Sequence, residues 1–154
     1  MTQPQFTQTT ASQEDSRFSS ITFILGPGNQ TVLVLEESKP RPWFWKCSGG
    51  GLLIGETPEE GAIRESKQET GIPPKDLVLL DRSTNDFGHT KHFYFGRTDS
   101  WEGLAERGDE GELVRRFLVP LILPRLNFLP QQRVLLIKHR QILARLGADL
   151  GQSD

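Results

Sequence analysis

Glu65 and Glu69 are the two residues of this chain whose type and spacing most directly suggest chemistry. Placed on a helix, they lie one turn apart on the same face. Two like charges so placed repel, and a cation between them removes that cost. A hard divalent ion suits the position, because magnesium takes carboxylate, carbonyl and water oxygens. It can also neutralise phosphate oxygens and help generate or position a hydroxide nucleophile. An arbitrary Glu pair at this spacing is more often solvated surface, so the neighbouring residues decide. Just upstream stand Gly49, Gly50 and Gly51, read as a loop whose missing side chains let a ligand or metal approach the backbone closely.

From Gly50 the chain reads Gly, five residues, Glu56, seven residues, then Arg64-Glu65-Ser66-Lys67-Gln68-Glu69-Thr70-Gly71-Ile72. This resembles the Nudix box, Gly-x5-Glu-x7-Arg-Glu-U-x-Glu-Glu-x-Gly-U, where U is a bulky aliphatic residue. Gly50, Glu56, Arg64, Glu65, Glu69, Gly71 and Ile72 all fall in register, which is far more specific than a lone glycine motif. The resemblance implies an α+β Nudix fold, a mixed β-sheet sandwiched between α-helices, and a magnesium cofactor with manganese as the alternative ion. It implies Glu65, Glu69 and Arg64 as the catalytic group. Glu69 is the direct metal ligand, and Glu65 shares metal coordination with orienting or deprotonating the water. A carbonyl of Gly49 or Gly50 completes part of the shell. Arg64 and Glu56 form an ion pair that fixes the loop on the helix, and Gly71 is structural. Gly49 and Gly51 are the flanking substrate-side glycines.

Two positions depart from the box. Ser66 replaces the aliphatic residue, at a loss of roughly 1–3 kcal/mol of packing relative to a buried Leu. Gln68 replaces the first acid of the Glu-Glu pair; its amide oxygen can coordinate a metal but brings no charge, so weaker metal binding is expected. Many members of the family add an acid from a loop far downstream. Here Gly108-Asp109-Glu110-Gly111-Glu112 is that loop, with Glu112 the first choice as a further metal ligand and Glu110 the second.

These residues need a helix and strands to hold them. Thr57 is a good N-cap, Pro58 suits the first helical position and Glu60 completes a capping box. Gly71, then Pro73 and Pro74, ends the helix, which is expected over residues 58–70. Residues 21–25 and 31–35 read as the strands of a hairpin around Gly26-Pro27-Gly28-Asn29, with further strands expected near 77–80, 91–97 and 114–119. A last helix is expected from Pro130 to about Leu146, with Val134, Leu135, Ile137, Ile142 and Leu146 as its apolar side. The segment 1–18, rich in Thr, Gln and Ser, is expected to be a disordered tail. The Nudix domain then spans 19–148, and 149–154 form a flexible end.

Other residues carry weaker signals. Trp45, with Trp43 and Phe44 beside it, could stack on a base, as could Phe87, and these are the remaining substrate-binding candidates. His89 and His92 face opposite sides of an extended chain, which argues against a zinc site. Cys47 has no partner for nucleophilic chemistry in the sequence. The chain has 154 residues, 35% hydrophobic and 25% charged, enough for one cored domain without disulfides. A net charge of −2 argues against a nucleic-acid-gripping surface. No apolar run approaches the roughly 20 residues needed to span a bilayer, and no signal-peptide layout is present, so a soluble cytoplasmic protein without membrane partner is expected.

The expected reaction is hydrolysis of a nucleoside diphosphate linked to another group, with nucleoside triphosphates cleaved to monophosphate and pyrophosphate as the leading substrate. The proline that ADP-ribose-cleaving members tend to carry about sixteen residues past the box is Gly88 here. Tyr94 is too far downstream for the tyrosine of dinucleoside-polyphosphate enzymes. The alternative is a catalytically weak nucleotide-binding or regulatory module. A homodimer is common among relatives of this kind.

Overall fold

Residues 20–25 alternate one buried set of side chains, Ser20, Thr22 and Ile24, with a second set of buried Phe23 between partly buried Ile21 and Leu25. The strand they form therefore lies inside a sheet covered on each face. The computed structural model describes residues 13–37 and 39–151. In it this strand, β1 (Glu14–Gly26), runs parallel to β6 (Thr90–Arg97), with Phe18 opposite Thr90 through Leu25 opposite Arg97. Its other edge pairs with β4 (Ser48–Leu53). Only Leu25 and Gly26 pair with β2 (Gln30–Glu36), so the expected hairpin is a corner. Gly28 and Asn29 take positive φ there. β3 (Phe44–Lys46) and β7 (Val114–Leu118) flank β2, and β5 (Lys75–Thr84) closes the other side on β6. The result is a mixed sheet of order β3-β2-β1-β6-β5, with β4 and β7 paired off that path.

One face packs Phe23, Leu33, Phe93 and Phe95 against the C-terminal helices. Those helices are α2 (Ile122–Arg125), α3 (Pro130–Lys138) and α4 (Arg140–Arg145). The opposite face carries α1 (Pro58–Thr70), whose bounds and caps follow the local sequence signals. Thr57 accepts from Glu60 N–H, Glu60 returns the bond, and Gly71 caps the end with φ 82°. The sandwich of sheet between helices is thus as expected from the box.

Four further expectations change. The glycine segment is the strand β4, because its backbone pairs with β1, a long-range partner that glycine's weak strand preference does not announce. β1 starts at Glu14, inside the expected tail, because pairing with β4 satisfies the backbone of a segment with little apolar content; the tail before residue 13 lies outside the described residues. Leu150 is fully buried in the core, so the chain near residue 150 packs where a flexible end was expected. The last helix breaks at His139, whose ring bonds Asp81 Oδ2 on β5 at 2.6 Å. Leu136 and Leu143 are its buried apolar residues, while Val134 and Ile142 stay exposed. Among the described residues, no helix is long and apolar enough to cross a membrane.

Candidate active site

α1 buries Gly61, Ala62, Ser66 and Thr70, a face of small residues. Such a face lets the helix lie close on β4; a Cβ added at Gly61 would meet Leu52 Cδ2 at 2.1 Å. Ser66 is fully buried, and its hydroxyl and that of Ser48 on β4 bond at 2.8 Å. The expected packing loss is therefore offset by a hydrogen bond worth about 1 kcal/mol net. Close packing brings the glycine backbone against the acids of the helix. Gly49 N–H donates to Glu69 Oε1 at 2.9 Å. A Cβ at Gly50 would lie 2.6 Å from Glu65 Oε2, so in this rotamer the carboxylate lies against the bare Cα.

Arg64 is fully engaged within this unit. Its Nε and Nη2 fork onto Glu56 at 2.8 and 3.0 Å, and Nη2 also donates to the Gly51 carbonyl at 3.0 Å. Nη1 reaches Gln68 Oε1 at 3.1 Å and Glu65 Oε2 at 3.3 Å. Glu56 accepts a further bond from Leu53 N–H. Burial alone would raise the Glu56 carboxyl, but the Arg64 and Leu53 bonds outweigh it and hold Glu56 below its ordinary value. This pair staples the end of β4 to α1, and Arg64 stays at the border of the acid-lined pocket.

The loop after β6 closes the pocket. Ala105 N–H donates to Thr70 O and Asp109 N–H to Gln68 O, docking residues 105–112 on the end of α1. An open pocket of about 390 Å³ results, lined by Gly49, Gly50, Gly51, Arg64 and Gln68 and by five acids, Glu14, Glu65, Glu69, Asp109 and Glu110. Burial pushes the Glu69 carboxyl up to about 8; the Gly49 N–H pulls it down and Glu65 pushes it further up. Burial also raises Glu65; Arg64 opposes the shift, while Glu14 and Asp109 add to it.

The donor set fits a hard divalent cation. The pocket offers carboxylate and backbone oxygens without sulfur or imidazole, and the glycine cradle holds a carboxylate where a Cβ would sit. Among the described residues no three acids, histidines or cysteines are already gathered as a metal cluster. Glu65 Oε1 and Glu69 Oε2 accept no hydrogen bond among those residues, the other oxygen of each being taken by Arg64 and Gly49 N–H respectively.

The other expected residues fall elsewhere. Glu112 turns into its own loop, where its carboxylate accepts Glu110 N–H, and it lines an adjoining pocket that shares Glu69 and Glu110 and contains Lys46. Trp45 packs edge-on against Phe117 at 4.8 Å over the helical core, away from the acids. Phe87 is 95% exposed at the tip of the β5–β6 turn and borders neither pocket. Trp43 donates to Lys39 O beneath Arg41, and Phe44 lines a separate groove with Pro42 and Leu129. Cys47 is buried, with its thiol pushed up to about 12 by burial, so it is no nucleophile. Glu14 and Asp109 border the site without having been singled out. Asp109 lay within the expected loop, whereas no local signal marks Glu14.

Residues 16–136 match the model of the NUDIX domain. The chain is 36% identical over 67 residues to an RNA pyrophosphohydrolase of Zymomonas mobilis, a stretch covering 37% of this chain and 43% of that protein. It is 34% identical over 68 residues to the 8-oxo-dGTP diphosphatase of Escherichia coli K12, covering 42% and 52% respectively. The matched stretches thus span about half the length of these curated relatives. A NUDIX-family hydrolase structure from Clostridium perfringens superposes with a TM-score of 0.64 at 18% identity, covering 84% of this chain and 99% of that one.

Proposed function

The chain belongs to the Nudix family, and from that premise we propose that it hydrolyses the pyrophosphate linkage of a nucleoside diphosphate derivative with a divalent cation, magnesium first. The observation that carries the reading is the pairing of Glu65 and Glu69 with bare glycine backbone in an open, acid-lined pocket. Hydrolysis joins the water oxygen to one phosphorus while the bridging oxygen leaves with the other phosphoryl group. When bound, the cation neutralises phosphate oxygens and makes water easier to deprotonate. Glu69 and Glu65 would hold the cation, and Glu65 would also take up the proton that water gives off. Arg64 and Glu56 position the strand end on the helix.

Nucleoside triphosphates, cleaved to monophosphate and pyrophosphate, are the first substrate class we assign. The relatives named above act on RNA and on 8-oxo-dGTP by name, so the group beyond the diphosphate varies in this neighbourhood. Gln68 favours a second reading, a binding module with weak chemistry, because its amide oxygen is turned to Arg64. A panel of nucleoside triphosphates, 8-oxo-dGTP, ADP-ribose and 5′-triphosphorylated RNA, titrated with Mg2+ and Mn2+, tests both. Metal-dependent release of pyrophosphate from the triphosphates is expected. Nucleotide binding with no turnover at any metal concentration would leave only the second reading.

A further inference from the structure

We propose that Glu14, from the start of β1, supplies to the cation the carboxylate that position 68 lacks. This rests on the metal-dependent reading above. Three observations converge on it.

The first is the cradle. A Cβ at Gly51 would lie 2.9 Å from Glu14 Oε1, so the bare Cα of Gly51 leaves space for this carboxylate as Gly50 does for Glu65. Glu14 borders the same pocket as Glu65, Gln68 and Glu69, and its charge acts on Glu65 from outside the box.

The second is the register of β1. Ser19 pairs with Gly51, but the next pair is Asp15 with Leu52, so three residues of β1 bulge out between them. A bulge re-aims the side chains beyond it, and two histidines pin this one. His89 Nδ1 bonds Ser16 O and its Nε2 bonds Ser19 Oγ, each at 2.8 Å. A carbonyl only accepts, so Nδ1–H is the donor to Ser16, and in the neutral ring Nε2 accepts the Ser19 hydroxyl. His92 Nδ1 donates to Ser19 O at 3.0 Å. The strand start that carries Glu14 is thus fixed by named contacts.

The third is the contrast between Gln68 and Glu14. Gln68 Oε1 accepts from Arg64 and brings no charge. The Glu14 carboxylate has neither hydrogen bond nor ion pair among the described residues. Its neighbour Asp15 is already held by Arg17 at 2.8 Å.

Mn2+ binding to the intact chain, followed by electron paramagnetic resonance of the free ion, tests the assignment without reading activity. Glu14→Gln should weaken binding at least about tenfold, the loss that even an outer-shell partner brings when removed. Asp15→Asn, which removes an equal charge one residue away, should leave binding near wild type. Glu14→Gln combined with Gln68→Glu should recover most of the loss. Unchanged binding in Glu14→Gln, or an equal loss in Asp15→Asn, would each overturn the role of Glu14. Tight binding by the wild type in either of those cases leaves the metal-dependent reading standing. A wild type that binds no Mn2+ contradicts both.

Discussion

At the scale of single residues, Gln68 and Arg64 decide how this site departs from its family pattern. Arg64 spreads its donors over Glu56, Glu65, Gln68 and the Gly51 carbonyl. A carboxylate at 68 could keep one oxygen on Arg64 and offer the other to a cation. Gln68→Glu should therefore lower the Mg2+ concentration for half-maximal phosphate release several-fold; an unchanged requirement would place residue 68 outside the cation shell. The placement of Glu65 and Glu69 on one helix face, and the pairing of Arg64 with Glu56 just before that helix, were legible in the sequence because the box fixes their spacing. Glu14 was not legible, since its approach depends on a bulge and on pairing with residues almost forty positions away. Trp45 and Phe87 misled for a related reason. An aromatic side chain suits stacking and core alike, and only the tertiary setting put one against Phe117 and left the other exposed.

At the scale of elements, the seam between α1 and β4 sets the distance between acids and backbone. The seam is lined by Gly61, Ala62, Ser66 and Thr70 on one side and by Ser48 on the other. Restoring the family's aliphatic residue should harm it. Ser66→Leu inserts volume where there is none and leaves the Ser48 hydroxyl buried without its partner, costing about 1–3 kcal/mol for each effect. Denaturant unfolding reads this as a lower midpoint, and a variant as stable as wild type would contradict the close seam. The ends of α1 were readable from sequence because capping is local. β4 was not, because glycine forms a strand here only through its partner β1. The break at His139 was equally hidden, since it is fixed by Asp81 on a distant strand.

At the scale of the whole molecule, a near-neutral chain sets eight of its twenty acids around two adjoining pockets. Five acids border the first pocket, and Glu36, Glu37 and Glu112 join the second beside Lys46. An anionic polyphosphate meets repulsion there unless cations accompany it, so the charge distribution itself calls for metal. The far side of the fold is tied differently, through Asp81, His139 and Lys138. Burial would raise Asp81, but bonds from His139 and Lys138 outweigh it and hold the carboxyl below its ordinary 3.8. A depressed carboxyl stabilises the fold above its unfolded value, and that contribution fades as pH falls through the folded one. Asp81→Asn should thus lower Tm at neutral pH, with the gap to wild type closing below about pH 4; a gap independent of pH would contradict the pairing. The central claim is tested most directly by following a nucleoside triphosphate with the wild type and Glu69→Gln by 31P NMR, with and without Mg2+. Wild type with Mg2+ should give monophosphate and pyrophosphate, with the rate at least about a hundredfold lower in Glu69→Gln. Equal rates in the two proteins, or turnover by wild type that persists in a chelator, would contradict the account.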